Sequence, residues 1–213
     1  MLGIIPTNII LFKMLCGIGA TALELDTPRH SIIIEPNVPV IKGKCKKYNT
    51  TRTKLILGVY EGITVDEIIE YLESKVQWKK ILVTPESFGK VKEAMDEVGI
   101  NMYEKYFLLI DECERTIQDV GYRANITLPM KDFFLFKDKA FISATPIIPS
   151  DPRFKEHKFS NVYVQPDKDY AYKQELKVIE TNNVMLSLKK FISENERKQY
   201  FVFFNSQTLL HTS

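Results

Sequence analysis

Three short segments carry the residue types that chemistry on a phosphate would need. The first, LCGIGAT at residues 15–21, closes an apolar run and opens a helical one. Its glycines would let the backbone N–H groups of Gly17, Ile18, Gly19, Ala20 and Thr21 wrap round a phosphate, and a helix start would add partial positive charge. The Thr21 hydroxyl would reach a Mg²⁺ ion carried by a nucleotide. The second, YFLLIDECER at residues 106–115, runs an apolar strand straight into Asp111 and Glu112. Carboxylates at the tip of a buried strand stand where open α/β sheets bind ligands. Asp111 would hold the metal, usually through water, and Glu112 would orient and deprotonate an attacking water. The third, FISATP at residues 141–146, is a strand followed by Ser143, Ala144 and Thr145. Each segment has a plainer reading: glycines in a tight turn can serve packing, paired carboxylates can be solvated caps, and Ser-Ala-Thr is a common tripeptide.

Such segments act together only if a sheet brings their ends to one edge. Apolar, β-rich runs fall at residues 9–15, 31–34, 55–59, 80–84, 106–110, 139–143, 161–164 and 200–204. Several are continuous, as strands covered on both faces are. Helical patterns lie between them. Over residues 65–77, Thr64 and Glu67 make a capping box, and Val65, Ile68, Ile69, Leu72 and Val76 share one face. A second helix follows Pro85 and ends at Gly99, and a third covers about Val184–Ser193. Strands alternating with helices predict an α/β fold with a doubly wound, mainly parallel sheet, an antiparallel α+β arrangement being the alternative. The polar stretch at residues 165–172 marks a boundary. A first domain spans residues 1–165, and residues 166–213 hold a linker and the start of a second domain, too short to bury a core of its own.

Composition narrows the class. The 213 residues are 45% hydrophobic and 26% charged, which excludes wholesale disorder, collagen-like repeats and a disulfide-stapled mini-protein. Lys+Arg 29 against Asp+Glu 27 leaves a net charge of +2, so any basic surface must be local. One such place is the cluster Lys42, Lys44, Lys46, Lys47, Arg52 and Lys54, with Tyr48, in what reads as a turn-like stretch: a solvated loop or a contact to a phosphate backbone. Cys16, Cys45 and Cys113 show no pairing or metal-ligand spacing and point to a reduced, cytoplasmic chain. Pro6 and Lys13 interrupt the apolar N-terminal run, no basic residue precedes it, and no stretch reaches membrane-spanning length. His30, His157 and His211 are isolated. Phe133, Phe134 and Phe136 read as core.

Taken in order, the three segments resemble the motifs of the superfamily 2 (DEAD/DEAH-like) helicases and translocases. There a G-x-G-K-T loop, a D-E-x-x box and an S-A-T segment line the nucleotide site of the first RecA-like domain. Between them, SIIIEPN (residues 31–37) looks like motif Ia, and ILVTPESF (residues 81–88) looks like a segment that touches the nucleic-acid backbone. FVFFNS (residues 201–206) resembles the opening strand of a second RecA-like domain, so the resemblance runs over residues 8–206. It implies a P-loop NTPase that binds ATP and Mg²⁺. Gly17, Ile18, Gly19, Ala20 and Thr21 would cradle the phosphates, Thr21 and Asp111 would hold the metal, and Glu112 would be the base. Ser143, Ala144 and Thr145 would couple nucleotide state to nucleic acid touched by Pro36, Asn37, Thr84 and Pro85. That nucleic acid is single- or double-stranded, with DNA and RNA both open, and a second RecA-like domain would be the other partner.

The sequence departs from the pattern in two ways. Ala20 stands where the loop lysine belongs; Lys13, at the end of the preceding strand, either reaches across in its place or is a solvated strand-end lysine. The motifs in which a second domain supplies an arginine, worth about 10³–10⁵ in rate in such enzymes, are not among those matched. The resemblance therefore implies impaired or absent turnover by this chain alone. The rival readings are a non-catalytic nucleotide- or nucleic-acid-binding module and a doubly wound enzyme with an unrelated site.

Overall fold

Short strands without a polar face need helices on both sides, and the chain supplies them in alternation. The computed structural model describes residues 3–13, 19–50, 53–111, 131–144, 151–164 and 180–194. The elements are β1 (Ile9–Lys13), α1 (Ala20–Asp26), β2 (Ser31–Ile34), α2 (Val38–Tyr48), β3 (Ile56–Val59), α3 (Val65–Glu73) and β4 (Lys80–Val83). After a 3₁₀ turn (Pro85–Ser87) come α4 (Phe88–Glu97), α5 (Met102–Lys105), β5 (Phe107–Ile110), β6 (Asp138–Ser143), α6 (Arg153–Glu156) and β7 (Ser160–Val164). Among the described residues the sheet has seven strands in the order β3-β4-β2-β5-β6-β1-β7, and each of their pairings is parallel. The fold is α/β and doubly wound.

Successive residues of each strand point to opposite faces, so one apolar run feeds two cores. On one face Ile10, Phe12, Ile32, Ile34, Ile81 and Val83 pack with Ile68 and Tyr71 of α3 and Val91 and Met95 of α4. On the other, Ile9, Leu11, Ile33, Leu82 and Leu109 pack with Leu25 of α1 and Ile41 of α2. Phe133, Phe134 and Phe136 are buried in the first core, beside Phe141 and Phe154. Gly58 in β3 admits α2 to the sheet: a Cβ there would stand 2.7 Å from Ile41 Cγ2 and 3.0 Å from Cys45 Sγ.

Two elements differ from expectation. The expected helix over residues 65–77 has its capping box, with the Thr64 hydroxyl accepting from the Glu67 N–H at 3.3 Å, but stops at Glu73. Its last carbonyls are taken by side chains instead of further turns. The Ser74 hydroxyl donates to Tyr71 O at 2.7 Å, and the Lys79 ammonium donates to Tyr71 O at 2.9 Å and Ser74 O at 2.6 Å. The lysine-rich stretch is not turn-like: Lys42, Lys44, Lys46 and Lys47 lie on α2. Pro39 in its first turn suits a helix start, and Ile41 is buried while Lys42, Lys46 and Lys47 stay in solvent. The strand expected at residues 200–204 lies outside the described residues.

The chain divides into two compact units, Met1–Tyr170 and Ala171–Ser213. The second contributes α7 (Val184–Ser193), capped by Asn183, whose side-chain oxygen accepts from the Leu186 N–H at 3.0 Å. Among the described residues, no helix is long and apolar enough to cross a membrane.

Candidate functional site

Because all strands run the same way, the segments beyond their C-terminal ends gather at one edge. In register, Ile110 lies opposite Phe141, and Ser143 lies opposite Phe12, so β5, β6 and β1 end side by side. Lys13 closes β1, Ser143 closes β6 and Asp111 comes directly after β5. The Lys13 ammonium is ion-paired with Asp111 Oδ1 at 2.9 Å, and the Thr21 hydroxyl donates to Asp111 Oδ2 at 2.5 Å. Asp111 is 5% exposed and Thr21 7%, so both meet with little solvent between them. Residues 90 and 98 positions apart thus share one carboxylate. The reading of Lys13 as a solvated strand-end lysine does not hold, since its side chain is only 13% exposed and pairs with Asp111.

Gly19 takes φ +81°, ψ 13° immediately before α1, a left-handed conformation that glycine adopts without strain. Ala20 begins α1 and belongs to the apolar core on that face. The ammonium that reaches Asp111 comes from the end of β1, across β6, and not from position 20. A carboxylate and a hydroxyl are hard oxygen donors, and Mg²⁺ takes one or two carboxylates together with waters and substrate phosphates. Thr21 and Asp111 fit that demand. Among the described residues, no group of three or more His, Cys, Asp or Glu side chains forms a dedicated metal cage. Gly17, Ile18, Glu112 and Thr145 lie outside the described residues, as do Cys16 and Cys113. Ser143 is 1% exposed, and Ala144 after it is half-buried.

The second set of residues lies further along the same edge. β2 and β4 are adjacent, with Ile34 opposite Val83, so Pro36 and Asn37 stand near Thr84 and Pro85. Pro36 and Asn37 are half-buried, whereas Thr84 and Pro85 are buried. One residue of this edge is absent from the sequence-based candidates. Glu35, 3% exposed, comes directly after β2 and forms an ion pair with Lys44 of α2. Asp111 donates its N–H to Ile34 O at 3.1 Å, which sets the two carboxylate residues on neighbouring strand ends. The sequence does carry a signal, for a carboxylate directly after SIII repeats the pattern of Asp111 after FLLI.

The opposite edge holds a different charged cluster. Glu24 is fully buried; its Oε1 accepts from Arg29 Nε at 2.9 Å and the Ser31 hydroxyl at 2.5 Å, and its Oε2 accepts from Arg29 Nη2 at 2.5 Å. Lys80 donates to Glu24 O at 2.6 Å and to Ser31 Oγ at 3.0 Å. Burial pushes the Lys80 ammonium down to about 8, with the Glu24 carboxylate opposing the shift.

No family model matches the chain, and no curated protein matches it. Among solved structures it is similar to the crystal structure of a hypothetical ATP-dependent RNA helicase from Sulfolobus tokodaii, at 18% identity and a TM-score of 0.48. That match covers 74% of this chain and 48% of the other, so the chain spans about half the length of that protein.

Proposed function

We propose that the chain is the ATP-binding part of a helicase-like motor, taking a Mg²⁺–nucleotide at the edge where β1, β6 and β5 end. The observation that carries this reading is the meeting of Lys13 and Thr21 on the two oxygens of Asp111. Thr21 and Asp111 hold the metal, which when bound offsets charge on the phosphates. The loop of Gly17, Ile18, Gly19, Ala20 and Thr21 cradles those phosphates. Lys13, whose ammonium meets Asp111, would be within reach of phosphates held at that carboxylate and would supply there the positive charge that Ala20 does not. Glu112, next to Asp111, takes the proton of the attacking water. Ser143, Ala144 and Thr145 relay the nucleotide state to nucleic acid at Pro36 and Asn37, with Thr84 and Pro85 as their backing. Turnover without a second RecA-like domain is slow, because the arginine such a domain supplies is worth about 10³–10⁵ in rate.

Calorimetric titration with MgADP and MgATP tests the site. Saturable binding is expected, weakened at least tenfold in Asp111→Asn and in Lys13→Ala. Equal binding by wild type and both variants overturns the reading. Phosphate release with and without single strands, beside Glu112→Gln, then measures turnover: near background for the chain alone.

A further inference from the structure

The edge of the sheet opposite the candidate nucleotide site carries a groove of about 350 Å³, lined by Pro28 after α1, Tyr48 at the end of α2, Leu55 before β3, and Val76 and Trp78 between α3 and β4. Ligand sites generally fall at ~300–1,000 Å³. Trp78 is 38% exposed and Leu55 43%, so folding leaves large apolar surface uncovered here. Positive charge borders it. Lys46 and Lys47 are exposed on the last turn of α2, and Lys54 is exposed directly before Leu55. The Lys47 ammonium lies over the Tyr48 ring, at 5.6 Å. Such a contact rests the lysine stem on the protein while its charge still faces solvent. Asp26, also at the groove, is hydrogen-bonded by the Tyr48 hydroxyl, and Lys80 turns inward to Glu24 O and Ser31.

An aromatic-lined groove bordered by lysines suits single-stranded nucleic acid, whose bases stack on aromatic faces while its phosphates follow positive charge. We propose that this groove and the outer side of α2 bind single-stranded nucleic acid, with one base seated against Trp78 and the adjoining phosphates on Lys46, Lys47 and Lys54. The groove and the lysines of the last turn of α2 stand at the far end of that helix from Asn37, its N-cap, and the proposal does not depend on the nucleotide reading. A peptide docking on Trp78 and Leu55 would not need the lysines.

Trp78 is the only tryptophan of the chain, so its fluorescence reports this groove directly. Titration with oligo(dT) and oligo(rU) is expected to quench it saturably, with affinity falling as salt rises. The Lys46→Ala/Lys47→Ala double variant, at exposed helix positions where alanine is well tolerated, should bind at least tenfold more weakly, with a salt slope lower by about 1 per lysine. With a labelled oligonucleotide followed by anisotropy, Trp78→Phe should bind nearly as wild type and Trp78→Ala at least fivefold more weakly. MgADP affinity should be unchanged in all of these variants. Quenching that is absent, or binding that survives the lysine variants but is lost in Asn37→Ala, overturns the proposal and leaves the nucleotide site standing. So does heparin or an apolar peptide that reproduces the quenching where oligonucleotides do not.

Discussion

At one edge of the sheet the Glu24 carboxylate accepts from Arg29 and Ser31; at the other, the Asp111 carboxylate accepts from Lys13 and Thr21. The first cluster is saturated and rigid. Arg29 forms a fork on Glu24, lies 3.4 Å from the centre of the Phe107 ring and donates to Ile5 O at 2.9 Å, so its charge and its flat shape are both engaged. Its members come from α1, β2, β4 and the turn between the first two, and they tie α1 to the sheet. The second cluster joins strand ends and the start of α1, each held by the fold, through the side chains of Lys13, Thr21 and Asp111. Lys13 can leave Asp111 without leaving the protein surface. A saturated carboxylate serves the fold, and one whose partners can be exchanged can serve a ligand.

The largest effect is expected at Glu24. Glu24→Ala leaves the buried Lys80 and the half-buried Arg29 without their carboxylate, a change that typically costs about 3–5 kcal/mol, or roughly 6–20 °C in Tm for a chain of this size. The folded protein should still bind MgADP. A thermal melt within two or three degrees of wild type would erase the contrast between the edges. Asp111→Asn should behave in the opposite way. Its amide keeps one acceptor for Thr21 or Lys13, so denaturant titration should register a loss of only about 1–2 kcal/mol while MgADP binding falls beyond detection. Lys13→Met is smaller again in stability, below about 1 kcal/mol, because a flexible thioether fills the space of the lysine stem. Its effect on nucleotide affinity should nevertheless exceed tenfold. A Lys13→Met protein that unfolds readily but binds nucleotide normally would reverse the assignment and make this cluster a structural clamp.

The sheet is legible in the sequence because its strands are apolar on both faces: SIII, KILV and FLLI admit no reading as half-exposed alternating strands. The approach of Thr21 to Asp111 is legible for the same reason, since parallel strands deliver their C-terminal loops to one edge. The order of strands is not. β6 lies between β5 and β1, so Ser143 stands between the two chemically obvious segments, a fact of topology that no local pattern contains. α2 is hidden because Pro39, Gly43 and a run of lysines dilute its apolar face to Ile41, Cys45 and Tyr48. The Glu24 cluster is hidden because Lys80 and Glu24 are 56 positions apart, and a buried lysine looks in sequence like any other.

The smallest effect concerns pH and sharpens the comparison from the saturated side. His30 packs between Trp78 and Tyr106, with ring centroids at 5.5 and 5.2 Å, and its Nδ1 accepts from the Lys79 N–H at 3.1 Å. That bond requires a neutral ring. Burial lowers the His30 pKa below its ordinary value of 6.5, and the charges of Lys79, Lys80 and Lys105 lower it further. The unfolded chain therefore binds a proton at a pH where the folded chain does not, so stability rises with pH through the interval below 6.5 and is complete above it. Acidification from pH 7.5 to 5 should lower the denaturant midpoint. In His30→Asn, whose amide oxygen can accept from the Lys79 N–H but does not titrate, the drop over the same range should be smaller. The edge with Asp111 carries no histidine among the described residues, so MgADP affinity, compared at pH 6 and 7.5, should not track the same His30-dependent difference. An identical pH profile for wild type and His30→Asn would show that this histidine is solvated enough to titrate alike in both states, and that the rigidity of this edge ends at Glu24 and Arg29.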